Sequence, residues 1–152
     1  MAYTNAEGRQ ELLDELALAT EDVGVALAAL GEAYEQLDEQ HADVLEEQLF
    51  RPVQSAYGRA QRTYTEFASR SQLRARTFSA HSPGAQSQSV RDLIERAGDA
   101  AYDADQSIAE LQDSMLPVEV GDPELRAGLS QVRETLSAVP SRARGFVRTV
   151  GR

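Results

Sequence analysis

Leu13, Leu16, Thr20, Val23, Leu27, Leu30, Tyr34, Leu37, His41 and Val44 follow one another at alternating spacings of three and four. That is the heptad rhythm of a helix with one buried stripe, and it predicts a first helix over about residues 5–49. Thr4, followed three positions later by Glu7, fits a capping box at its start. Leu12, Ala19, Ala26 and Ala33 add a flanking row to the stripe. A face that wide has to meet more than one neighbour, so the pattern exceeds a two-stranded coiled coil.

Three more segments carry the same rhythm. Val53, Tyr57, Ala60, Tyr64, Phe67, Ser71, Arg74 and Phe78 predict a second helix over about 52–79. A polar turn holding Pro83 and Gly84 follows. Ser89 and Asp92 form a second capping box, opening a third helix over about 89–116 with Val90, Ile94, Ala97, Ala101, Ala104, Ile108, Leu111 and Met115 in phase. Asp122-Pro123-Glu124 supplies an N-cap, a proline at the first helical position and an acid in the first turn of a fourth helix, about 123–150. Leu125, Leu129, Val132, Leu136 and Val139 form its stripe. Ala143, Phe146 and Val150 keep the phase beyond Pro140, so the chain either kinks there or restarts as a short final helix.

The expected fold is all-α: a single domain over 1–152, an elongated antiparallel up-and-down four-helix bundle with coiled-coil-like heptad packing. Pro52 has two readings. The lack of a capping residue before it favours one kinked helix. Charge favours a tight corner, because it would lay Glu35, Glu39, Asp43 and Glu47 against Arg59, Arg62, Arg70 and Arg74, and the corner is the preferred expectation. A first helix of about 45 residues would measure roughly 67 Å, longer than its companions. Its surplus apolar stripe then calls for a partner, most simply a second copy. Gly24 and Gly31, one heptad apart, could admit a close neighbour.

Charge follows the same segments. Residues 1–50 hold thirteen acids and one base, 51–80 one acid and six bases, 81–122 nine acids and two bases, and 123–152 two acids and six bases. Acidic helices one and three would thus alternate with basic helices two and four. All fifteen bases are arginine. With Ala and Gly abundant, this reads first as GC-rich coding bias, and only second as a preference for the guanidinium fork.

Little chemistry follows. The absence of cysteine excludes disulfides and thiolate catalysis. Asp38 and His41, one helical turn apart, suggest half of a carboxylate-bridged metal site, but such sites need two such pairs, and His81 is the one other histidine. Asp99, Asp103, Asp105 and Ser107 resemble a calcium loop, yet Ile108 stands where the turn glycine belongs and Ser114 where the closing glutamate belongs. No phosphate-binding glycine motif and no nucleophile elbow occur. No catalytic, cofactor-binding or metal-binding residues are therefore assigned, and no cofactor or small-molecule substrate is expected.

The arginines from 59 to 76 could meet phosphates, but the overall charge of −10 opposes nucleic-acid binding, which is not expected. The basic tail from Ser141 to Arg152 could lie on an anionic membrane, though closing the bundle is the preferred role. The acidic start carries no apolar leader core, and the apolar runs fall far short of the roughly 18 residues that span a bilayer. A cytoplasmic location is the resulting expectation. The functional expectation is a non-enzymatic helical interaction or scaffold protein, acting as a homo-oligomer or on another helical protein. The alternative is a peripheral binder of anionic surfaces through the second helix and the tail.

Overall fold

The computed structural model describes residues 5–79, 81–82 and 88–150. The expected cap at Thr4, the turn at Pro83 and Gly84, and the terminal Gly151 and Arg152 lie outside the described residues. Among those residues the chain is helical without strands: α1 (Asn5–Gln36), α2 (Glu39–Leu45), a π turn (Glu46–Phe50), α3 (Arg51–Arg70), α4 (Val90–Asp113), α5 (Leu116–Val120), α6 (Pro123–Leu136) and α7 (Val139–Val150). Helices α1, α3, α4, α6 and α7 pack together.

The helix expected over 5–49 is two helices. The break falls at Leu37 and Asp38, because Asp38 behaves as an N-cap: its backbone is extended and its Oδ1 accepts the His41 amide at 2.9 Å. A carboxylate that satisfies an orphan amide of a new helix competes with continuing the old one. The buried phase then shifts by one residue. Ala42, Leu45, Leu49, Val53, Ala56 and Ala60 are buried, whereas Tyr34 and Val44 of the expected seam are exposed. With α1 at 32 residues, the long apolar overhang disappears.

Pro52 is not a corner. The helix runs through it from Glu39 to Arg70, with the π turn just before it. Proline lacks the amide that would bond the carbonyl of Gln48 and crowds that carbonyl sterically. The wider π turn relieves this, and the Arg51 amide bonds Glu46 O, five residues back. Arg142 of α7 then donates from Nη1 to the Gln48 carbonyl at 3.2 Å. The expected facing ridges therefore do not form: Glu39, Asp43 and Glu47 lie on the same continuous helical run as Arg59, Arg62 and Arg70.

The second helix also ends nine residues early. At the end of α3 the Leu73 amide bonds Ala68 O at 2.9 Å and the Gln72 amide bonds Ser69 O at 3.2 Å, with Gln72 left-handed at φ 57°. This is a Schellman stop made without glycine. Residues 73–79 form a non-helical strap instead. Leu73 and Phe78 pack on the core, and Phe78 meets Tyr64 edge-on at 5.0 Å. Tyr64 Oη accepts the Arg76 amide, and the Arg76 guanidinium pairs with Glu21 of α1 and lies 5.0 Å from the Phe78 ring centre. Further along, the His81 ring sits on Gly24, where a β-carbon would stand 2.7 Å from the imidazole.

The charge pattern is also arranged differently from the expected alternation. Acidic α1 packs most extensively on acidic α4; α3 packs chiefly on α6, and α7 on α4. Small residues set the close approaches. Gly128 of α6 accommodates Thr63 of α3, and Gly98 of α4 faces Ala143 of α7. The fourth segment turns at Ser137 and Ala138, and Pro140 falls in the first turn of α7, where its missing amide costs nothing.

Candidate functional site

Asp38 and His41 are brought together, but as a cap rather than as ligands. Beyond its bond to the His41 amide, Asp38 lies 2.7 Å through Oδ2 from His41 Nδ1. These bonds, the amide first and the ring second, hold the Asp38 carboxyl below its ordinary range. The pair is open to solvent at the joint of α1 and α2 rather than in a helix seam. Among the described residues, no group of three or more His, Asp or Glu side chains is placed to hold a metal.

The acidic residues of α4 divide between a contact with α6 and a groove beside α1. Asp105 accepts from Arg133 Nε at 2.9 Å, and Arg133 Nη1 also donates to Gln112 Oε1, tying α6 to α4. Asp103 approaches Asp22 in a groove between α1 and α4 that Asp92, Glu95 and Asp99 also line, with Arg96 as its one base. Burial, then Asp103, then Glu21 push the Asp22 carboxyl up, partly offset by His81.

Of the arginines expected to form one ridge, Arg59, Arg62 and Arg70 lie on α3 and Arg74 lies on the strap. Arg70 grips Asp122 with two hydrogen bonds of 2.9 Å and reaches Glu124 at 3.0 Å. Asp122 at the same time caps α6 by accepting the Leu125 amide at 3.0 Å. Arg76 is held by Glu21. Arg62 and Arg74 are exposed, one on a helix and the other on the strap.

One surface stands apart. Helices α4 and α7 border an open groove of about 520 Å³. Its floor is Gly98, Pro140 and Ala143, and Tyr102 stands at its lip with 53% of its surface exposed. Glu95 and Asp99 line the α4 side, Arg144 and Arg148 the α7 side. Both pairs repeat at four residues, so each stacks along one helix face. Glu95 pairs with Arg91 on its own helix. No ion pair within 4 Å joins the acidic wall to the basic wall among the described residues. The basic tail drew attention in the sequence, but Tyr102 did not. Its only signal was negative: a large aromatic outside the seam of the third helix.

Compared with protein-family models, with curated proteins and with solved structures, the chain matches none of them. Among the described residues no helix is long and apolar enough to cross a membrane.

Proposed function

We propose that the protein is a non-enzymatic interaction protein that works through apolar and charged helix faces, its helices forming an up-and-down bundle that presents them. The observation that carries this reading is the α4–α7 groove: about 520 Å³, floored by small residues and edged by the exposed ring of Tyr102. Exposed aromatic side chains beside charged rims anchor protein interfaces far more often than isolated surface leucines do. A bare apolar overhang on the first helix does not contribute to this reading, since α1 ends at Gln36.

The alternative, an anionic-surface binder built on the second helix, is the weaker reading. Arg70 and Arg76 are engaged by acids of the same chain, which lowers the positive charge left for phosphates.

The test is a photo-cross-linking amino acid placed at Tyr102 in the native host, with the same group at the exposed Thr65 of α3 as control. Covalent protein adducts from position 102 and not from position 65 are expected. No adduct from position 102 overturns the proposal.

A further inference from the structure

We infer that the α4–α7 face is the surface on which the protein pairs with a second copy of itself about a two-fold axis. The inference rests on the interaction reading above and names the partner.

Val90 and Ile94 share a recess with Phe146, Val147 and Val150, while Gly98 meets Ala143 and Pro140. Residue numbers thus rise along α4 as they fall along α7. In this register Arg144 falls at a level between Glu95 and Asp99, and Arg148 lies a turn further along, just beyond Glu95, so the acidic and basic stretches overlap along the groove. All four side chains are exposed.

A two-fold axis parallel to the helices keeps each level and exchanges left for right. It places the α4 acids of one copy over the α7 arginines of the other, twice, and brings the two Tyr102 rings to the shared seam. A face with one charge stripe of each sign over overlapping heights, within reach of long arginine side chains, complements itself, which is what an isologous interface requires. Within one copy the two walls stand apart across the groove: Glu95 is held by Arg91, while Asp99, Arg144 and Arg148 make no ion pair within 4 Å among the described residues and are available to a partner. An anionic surface is disfavoured here, because Glu95 and Asp99 would be brought against phosphates together with the arginines.

The test is sedimentation of the full chain at about 1 to 100 μM, which brackets a micromolar dissociation constant. A dimer is expected whose dissociation constant rises with salt, since these exposed charges are screened. Two charge-reversed chains are compared, Arg144→Glu with Arg148→Glu, and Glu95→Arg with Asp99→Arg. Each alone is expected to remain monomeric with an unchanged helical circular dichroism spectrum. Mixed, they are expected to form a one-to-one heterodimer. Tyr102→Ala, which leaves the core untouched, is expected to weaken pairing by about ten-fold or more.

A wild-type chain that stays monomeric at low salt, or a dimer indifferent to both reversals, overturns the inference. In either case, adducts to a different protein from position 102 in the host would leave the broader interaction reading standing.

Discussion

The guanidinium of Arg142 caps the main-chain carbonyl of Gln48 at 3.2 Å, across the contact between α7 and the π turn. Gln48 is the residue whose helical i+4 donor is missing, because position 52 is proline. A sequence feature that looked like a helix end is thus absorbed by a widened turn and a long-range donor. Replacing Arg142 with Met should cost about 1 kcal/mol, the usual net value of one hydrogen bond. The loss should shrink in a Pro52→Ala background, where residue 52 regains an amide for the same carbonyl. Urea denaturation of the four chains in this cycle measures the coupling; strictly additive losses would show that Arg142 acts elsewhere.

Gly24 and Gly31 should respond oppositely to alanine. In an open helix the change stabilises by about 1 kcal/mol. At Gly31 the nearest side-chain atom, on Phe50, lies 4.0 Å from the new β-carbon, so a gain approaching that value is expected. At Gly24 the His81 ring would be 2.7 Å away and the Tyr57 ring 3.1 Å. Overpacking of this kind costs about 1–3 kcal/mol, so Gly24→Ala should destabilise. His81→Ala should remove much of that penalty. Thermal melts of the single and double variants decide it.

Asp122 both caps α6 and holds Arg70. Burial opposes its charge, yet the Arg70 bonds and the Leu125 amide outweigh it, and the carboxyl sits below its ordinary value of 3.8. Since the folded value is the lower one, its stabilisation is present above pH 3.8 and fades as pH falls through the folded value. Asp122→Ala should cost about 2 kcal/mol at neutral pH, combining a cap with a partly buried bidentate pair. Asp122→Asn should cost less, because the amide oxygen can still cap. The difference between wild type and Asp122→Ala in urea midpoint should narrow toward acid pH.

Asp22 should behave in the reverse sense. Burial, with Asp103 and Glu21 nearby, raises its folded value above 3.8. The folded chain then binds the extra proton, so stability falls as pH rises from 3.8 through the raised value. Asp22→Asn is expected to stabilise the protein at pH 7 by up to about 1 kcal/mol, allowing for solvent screening. Added salt should stabilise wild type more than the variant. An Asp22→Asn chain no more stable than wild type at low salt would remove the acid–acid strain assigned to the α1–α4 contact.

The periodicity of Leu13 to Leu30 and of Ile94 to Leu111 was enough to identify helices and most of their buried faces, because burying a stripe at 3.6-residue spacing is a local property of the chain. The caps at Ser89 and Asp122 were equally local, and both mark real helix starts. Asp38 carried the same kind of signal. Its spacing to His41 suggests a side-chain pair, yet the bond from its oxygen to the His41 amide is what decides the break in the first helix.

What lay beyond the sequence depended on contacts between distant segments. Pro52 continues the helix because Arg142, ninety residues further on, satisfies Gln48 O. The strap departs from a helical pattern at Gln72 because Tyr64, Glu21 and Gly24 receive Arg76, Phe78 and His81. The acidic helices α1 and α4 lie together, although charge alone favours keeping them apart. Exposed charge pairs are worth only about 0–1 kcal/mol each, whereas each large buried side chain contributes about 1.5–3 kcal/mol, so shape and apolar burial choose the neighbours. The α4–α7 groove with Tyr102 at its lip has the same origin. Local chemistry determined most helical segments and their caps, contacts between distant segments determined the continuation at Pro52 and the stop at Gln72, and the packing of Gly98 against Ala143 determined which charges share a face.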